Sequence, residues 1–359
     1  MPAAQTPRFR SVLEGFAPYK PGRVTSSPDG RSFRLASNES PFGPLPSVLD
    51  VIATAAGDAH RYPDNGAQAL ISAISARFGV PEAHIAVGCG SVGVTQQLLG
   101  AAAEPGGQVL YAWRSFEAYP TLADLSGAKS VQVALRDETH DLAAMADAIT
   151  ERTRVIFVCN PNNPTGTVVR RAELEEFLDA VPPECLVVLD EAYHEYVRDP
   201  GVPDGLSLCP ARPNLAVLRT FSKAYGLAGL RVGFMVAAEP TATAVRKTML
   251  PFTVSCVAQA AAIASLAAEP ELLDRVDAVT GERSRVRDAL LGDGWTVPPT
   301  QANFVWLRLG PDTGDFAAQC AAAGISIRPF GDEGARISVG TPDGDDAFLA
   351  VARAYPRRH

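Results

Sequence analysis

Between about residue 66 and residue 250, short runs rich in β-branched residues alternate with helical patterns. That alternation dictates repeated βα units around a mostly parallel sheet. Seven strands are predicted, beginning near His84 (HIAVG), Gln108 (QVLYAW), Ser130 (SVQVAL), Arg154 (RVIFVC), Cys185 (CLVVLD), Leu215 (LAVLRT) and Arg231 (RVGFMV). Several are apolar at successive positions, as strands sandwiched between two helix layers must be. The expected fold class is therefore α/β, with a large three-layer α/β/α domain built on a seven-stranded sheet. After Pro251 the texture changes to an Ala-rich helix (SCVAQAAAIASLAA) and a long charged helix (PELLDRVDAVTGERSRVRDALLG). Short strands ANFVWLRL, ISIRPF and ARISVG then surround a further helix, which reads as a smaller α/β domain. The expected division is an N-terminal arm over 1–37 packing on the small domain, a large domain over 38–255, and a small C-terminal domain over 256–359.

A chain of 359 residues exceeds the usual size of one domain. Hydrophobic residues at 47% with charged residues at 20% exclude wholesale disorder. A net charge of -8 argues against broad attraction to nucleic-acid phosphates or anionic lipid, so small metabolites are the expected partners. Six cysteines without a CxxC pair fit free thiols in a reducing compartment. The start MPAAQTPRFR has no apolar signal core, and no run approaches the roughly 18 apolar residues of a membrane span. A cytoplasmic location is expected. None of the five histidines stands in an HExxH or comparable spacing, so no metal is expected.

Four segments carry chemistry. In RTFSKAYGLAGLRVG a strand ends in the hydroxyls Thr220 and Ser222, then Lys223, then a Gly-punctuated turn ending at Arg231. An amine there can condense with an aldehyde while hydroxyls and a guanidinium hold a phosphate nearby. Of only four lysines (Lys20, Lys129, Lys223, Lys247), Lys223 alone has this setting; the competing reading is a surface lysine on a loop. In CNPNNPTGT, at the exit of a strand, Asn163 can donate to a phenolate oxygen, with Pro164 and Gly166 shaping the turn that aims it.

In VVLDEAYHEY an apolar strand emerges into Asp190, a poorly solvated acid that needs a cationic partner such as a protonated pyridine nitrogen. Tyr193 follows within reach of a ring hydroxyl. A helix N-cap is the alternative for Asp190, and the adjacent Glu191 keeps it open. In VGCGSVGVTQQLL a glycine turn opens a helix whose first amides, with Ser91, form a phosphate site. Gly88, Gly90 and Gly93 also spell GxGxxG, and Arg114 could meet a 2'-phosphate, which keeps an NADP oxidoreductase as a distant alternative.

Together these motifs resemble the fold-type I, class II aminotransferases, especially the histidinol-phosphate and aromatic amino-acid branch and its actinobacterial aromatic (phenylalanine) members. The likeness runs in order from LASNESPFGP through RYPDNG, GCGSVG, YAWRSFEAYP, CNPNNPTG, LDEAYHEY and SKAYGLAGLR to ANFVWL and ARISVG. It implies pyridoxal 5'-phosphate held as a Schiff base on Lys223, with Asp190 on the pyridinium nitrogen and Asn163 and Tyr193 on the ring hydroxyl. It implies phosphate held by the Gly90-Ser91-Val92 turn, Thr220, Ser222 and Arg231, with Tyr62 reaching over from the second subunit of a homodimer. Phe116 is implied as the residue that stacks on the ring, though core packing accounts for it equally. Arg336 is implied to clamp the substrate α-carboxylate; alone it could be a structural ion pair. Ser91 and Ser222 could equally cap helices.

The implied reaction is ping-pong transfer of an amino group from an aromatic amino acid to a 2-oxo acid such as 2-oxoglutarate. Phe42, Phe252 and Phe330 are candidates for an apolar substrate pocket. Tyr19, Asn38 and Arg328 resemble substrate-pocket positions of histidinol-phosphate aminotransferases, so that substrate is the alternative. An aminotransferase-like effector module is a further reading, disfavoured by the acidic charge and the lack of a helix-turn-helix extension.

Overall fold

The computed structural model describes residues 7–15, 25–27 and 30–356. Among the described residues twelve strands follow in order: β1 (Phe33–Arg34), β2 (Ile85–Gly88), β3 (Gln108–Trp113), β4 (Lys129–Ala134), β5 (Thr153–Cys159), β6 (Leu186–Asp190), β7 (Leu215–Thr220), β8 (Gly233–Ala237), β9 (Phe304–Arg308), β10 (Ile325–Ser326), β11 (Arg328–Phe330) and β12 (Gly334–Ser338). All seven strands predicted before residue 250 form one sheet, in the order β2-β8-β7-β6-β5-β3-β4. Only β8 runs against its neighbours, so the sheet is mostly parallel as expected. Every residue of β7 and β8 is buried, which is why these segments read as largely apolar runs. At the edge, β4 mixes half-buried and exposed positions and has no fully buried residue.

Two apolar clusters cover the two faces of this sheet. One gathers Ile156, Val158, Val187, Leu189 and Val217, and the other Val155, Phe157, Val188, Ala216 and Leu218, alternate residues of the same three strands. The Ala-rich helix Cys256–Ala267 packs on helices Pro46–Ala56 and Gln68–Phe78, and its Ala258, Ala261, Ala262 and Leu266 carry the first core past residue 255. Small alanine faces permit that close approach of helices.

A separate cluster of Val305, Leu307, Ala335, Ile337, Phe316 and Phe348 lies under the three-stranded antiparallel sheet β11-β12-β9. Alternation along ARISVG sends Ala335 and Ile337 into this core and leaves Arg336 and Ser338 on the opposite face. The segment ISIRPF, expected as one strand, divides at Ile327: β10 pairs in parallel with β1, and β11 pairs with β12. The chain changes partner there, so one apolar run serves two sheets.

Candidate active site

Register places the candidate residues along one edge of the large sheet. Cys159 at the end of β5 lies opposite Asp190 at the end of β6, and Asp190 lies opposite Leu218 of β7. Because β8 is antiparallel to both β7 and β2, the end of β2 returns to the same edge, with Gly233 flanked by Thr220 and Gly88. Ligands in open α/β sheets bind at the carboxyl ends of strands, and here four such ends meet.

The glycine turn after β2 opens the helix Gly90–Ala102, whose first amides face this edge. Gly90 has φ +72°, and a Cβ there would drive into the Arg231 guanidinium; a Cβ on Gly233 would strike the Ser91 amide nitrogen at 2.5 Å. Only bare backbone permits that approach. Arg231 itself sits in the left-handed region at φ +56° and donates Nη1 to Ser222 Oγ at 3.2 Å. Thr220 Oγ1 donates to the same Ser222 Oγ at 3.0 Å. A helix N-terminus, a guanidinium and two hydroxyls thus surround a cradle that side chains cannot fill, as a phosphate requires.

Lys223 follows directly. It is half-buried, its Nζ donates to the carbonyl of Ser37 at 3.0 Å and lies 6.0 Å from the Tyr193 ring centre. Burial first, and then the nearby Arg336 charge, lower its pKa from 10.5 to about 7. An amine so placed is a competent nucleophile and base near neutral pH.

Asp190 is buried, and its carboxylate accepts from Tyr119 Oη at 2.7 Å and from the Ala192 amide at 3.3 Å. Burial pushes its pKa from 3.8 up to about 6, against the pull of the Tyr119 hydroxyl. No α-helix starts at Asp190; the chain passes into a short 3-10 turn over His194–Tyr196, so the N-cap alternative falls away. Glu191 points elsewhere, accepting from Arg219 at 2.8 Å and from the Gly205 amide at 2.7 Å. Asp204 also accepts from Arg219, at 2.7 Å, so this buried guanidinium is held between two carboxylates.

A chain of hydrogen bonds closes the site from the side of the small sheet. Asn38 donates Nδ2 to Tyr193 Oη at 2.9 Å, and accepts at Oδ1 from Ser338 Oγ at 3.0 Å. Burial holds the Tyr193 hydroxyl well above its usual pKa, so it stays protonated. Arg336 donates to Asn163 Oδ1 and, at 2.6 Å, to the carbonyl of Ala36. With its oxygen engaged, Asn163 has its NH2 left to donate. Its neighbours are structural: Asn160 ties to Val169, while Asn162 accepts from Ser115 at 2.8 Å and donates to Thr165 at 2.9 Å. Gly166, at φ +77°, faces Thr300 so closely that a side chain would collide.

Other candidates lie apart or engage differently. Phe116 is half-buried and packs edge-on against Tyr119 at 5.5 Å. Tyr62 is 81% exposed and stacks on Phe252 at 4.5 Å, presenting its ring outward. Arg328 stands directly opposite Arg336 across β11 and β12, yet pairs with Glu117 at 2.9 Å. Of the three phenylalanines proposed for a pocket, Phe330 is buried beneath Arg336, whereas Phe42 and Phe252 are partly exposed. Tyr19 lies outside the described residues. Tyr119, which sequence reasoning passed over, is the partner that Asp190 actually finds.

The dinucleotide alternative fails on two counts. A Rossmann fingerprint joins adjacent parallel strands, but β2 and β3 stand at the first and sixth places of the sheet. Arg114 is stacked on Trp113 at 4.4 Å and bound to Glu333, so it is engaged within the protein.

A lysine of lowered pKa, a buried acid, a hydrogen-bonded phenol and a glycine-lined anion cradle at one sheet edge define an enzyme that works amine chemistry through a phosphorylated aromatic aldehyde. The aminotransferase class I and II family model matches residues 31–351, and the chain belongs to that family. It is an aminotransferase dependent on pyridoxal 5'-phosphate, acting on amino acids and 2-oxo acids. It is 64% identical over 359 residues, covering 100% of both chains, to the aromatic amino acid aminotransferase of Thermobifida fusca. Identity to the protein of the same name from Streptomyces avermitilis is 60% over 351 residues, 98% of each chain. The crystal structure of histidinol-phosphate aminotransferase from Sinorhizobium meliloti in complex with pyridoxal-5'-phosphate superposes with TM-score 0.88 at 30% identity, over 98% of this chain and 99% of that one. Among the described residues no single helix is long and apolar enough to cross a membrane.

Proposed function

We propose that this chain transfers the amino group of an aromatic amino acid (phenylalanine, tyrosine or tryptophan) to a 2-oxo acid such as 2-oxoglutarate. The observation that carries the reaction is the placement of the Lys223 amine, 6.0 Å from the Tyr193 ring centre and directly after the hydroxyls of the glycine-lined anion cradle. Full-length similarity to aromatic amino acid aminotransferases supports the substrate class. When bound, pyridoxal 5'-phosphate supplies an electron sink that stabilises negative charge on the substrate α-carbon.

The protein's own residues do the rest. Lys223 would hold the cofactor through its amine, and the same amine, when free, would take the proton from the substrate α-carbon as general base. Asp190 would hold a proton at the ring nitrogen, and its burial would strengthen that pairing because water cannot screen it. Asn163 and Tyr193 donate to the ring hydroxyl. Gly90, Ser91, Val92, Thr220, Ser222 and Arg231 anchor the phosphate. Phe116 covers one ring face. Arg336 orients the α-carboxylate by a charge-assisted fork, an interaction typically worth about 1.5–3 kcal/mol. The second half-reaction runs through the same groups in reverse.

The reading extends to a cytoplasmic location and to a homodimer with shared sites, the latter supported by the outward Tyr62 ring stacked on the partly exposed Phe252. It takes the chain as an arm to residue 37, a cofactor-binding unit over 38–255 and a small unit over 256–359; the pairing of β1 to β10 and the separate core under β9, β11 and β12 favour that division, whereas helix Cys256–Ala267 packs into the core of the large sheet. Histidinol phosphate is the alternative donor, favoured by Arg328 lying beside Arg336. Parallel assays decide between them: a higher kcat/KM with phenylalanine is expected, and a higher value with histidinol phosphate would reverse the assignment.

A further inference from the structure

Three guanidiniums surround Phe330 on the cleft side of the small sheet: Arg114 at 5.6 Å, Arg328 at 5.9 Å and Arg336 at 5.6 Å from the ring centre. Directly opposite residues of an antiparallel pair project from the same face, so Arg328 and Arg336 are side-by-side cations. Two such cations suit a dianion. A phosphate carried on an extra CH2–O link beyond the α-carbon would extend from Arg336 toward Arg328, whereas an α-carboxylate is satisfied at Arg336 alone.

The structure closes the second position from the large sheet. Glu117 follows Phe116 in the loop after β3, and its Oε2 accepts from both Nε (3.2 Å) and Nη2 (2.9 Å) of Arg328. The pair is largely enclosed, with side-chain exposures of 15% for Arg328 and 32% for Glu117. A phosphate arriving there meets a guanidinium already neutralised and a carboxylate that repels it. Rejection of a competitor by a like charge is a common device of specificity. Phenylalanine, with one carboxylate and no distal anion, does not encounter Glu117 as a charge.

We infer that Glu117 is a specificity-determining positioning residue, which holds Arg328 in an ion pair and so selects α-amino carboxylates over amines bearing a phosphate monoester. The inference rests on the aromatic amino-acid reading above. It concerns discrimination, not the chemical step: Glu117 acts through Arg328.

The test measures kcat/KM for histidinol phosphate and for phenylalanine on the holoenzyme, as a ratio within each preparation. That ratio does not depend on the fraction of protein correctly folded. Glu117→Gln is expected to raise the histidinol phosphate to phenylalanine ratio by about tenfold or more, mainly through KM, the scale of one charge-assisted contact. Arg328→Gln, which leaves the Glu117 carboxylate facing the phosphate, is expected to lower it. The double variant should lose the gain of Glu117→Gln, and that gain should shrink as ionic strength rises. Opposite signs for the two single variants are a signature that a merely structural ion pair does not produce. A ratio unchanged in Glu117→Gln, or a double variant whose ratio stays as far above wild type as that of Glu117→Gln alone, overturns the inference. Wild-type preference for histidinol phosphate would instead defeat the aromatic reading, and the wild-type measurement reports that separately.

Discussion

Removing one oxygen from Tyr119 tests how Asp190 is prepared for its work. Tyr119 is fully buried, stacked on Phe157 at 4.4 Å and 12° and packed edge-on against Phe116. Tyr119→Phe keeps those ring contacts and deletes only the hydroxyl that donates to Asp190 at 2.7 Å. Burial already lifts the Asp190 pKa to about 6, and the hydroxyl opposes that rise. Without it the carboxylate form loses a charge-assisted hydrogen bond worth about 1.5–3 kcal/mol. The protonated acid loses less, because a neutral group is cheaper to leave buried. Since the ring nitrogen is to be met by a carboxylate, most of that loss falls on cofactor binding. Titrating the apoprotein with pyridoxal 5'-phosphate, followed by visible absorbance, should show affinity weakened roughly tenfold to a hundredfold, at 1.4 kcal/mol per factor of ten. Thermal stability of the apoprotein should change much less. Cofactor affinity within twofold of wild type would refute the claim that Tyr119 supports the charged state of Asp190.

The same acid makes apoprotein stability depend on pH. An aspartate with its pKa raised from 3.8 to about 6 keeps its proton in the folded state where the unfolded chain has lost it, so stability falls as pH rises between those values. At 1.36 kcal/mol per pH unit this group contributes a loss of roughly 3 kcal/mol, to be measured by urea unfolding of apoprotein with Asp190→Asn as reference; an identical pH trend in that variant would contradict it. Gly90→Ala places a methyl against the Arg231 guanidinium at a φ that disfavours side chains, and should weaken binding of the cofactor's phosphate by at least about tenfold in the same titration. Arg219→Met leaves Glu191 and Asp204 facing each other without their shared cation and should cost about 3–5 kcal/mol in unfolding experiments.

Most of the large sheet was legible because its inner strands are buried on both sides and are mostly apolar, whereas the edge strand β4 mixes polar and apolar positions. The chemistry was legible where a side chain leaves a strand end: Asp190, Asn163 and Lys223 each stand at or just beyond one, and register then gathers them. In CNPNNPTGT three asparagines look alike in sequence, but Asn160 and Asn162 turn inward to tie the loop and Asn163 meets Arg336. Tyr119 was not legible, since its partner lies 71 positions away and depends on how helix Ala118–Ser126 sits on the sheet. Arg219 was hidden for the same reason, reading as one polar interruption in an apolar strand. The two roles of ISIRPF could not be separated, because an apolar run does not record a change of partner at Ile327.

The most direct test of the account is whether the cofactor is attached to Lys223. Holoenzyme reduced with borohydride, digested and analysed by mass spectrometry should carry the phosphopyridoxyl group on the peptide containing Lys223. Lys223→Ala should lose that adduct and turnover together while keeping its fold by circular dichroism. An adduct on Lys20, Lys129 or Lys247, or normal steady-state rates in Lys223→Ala, would contradict the assignment.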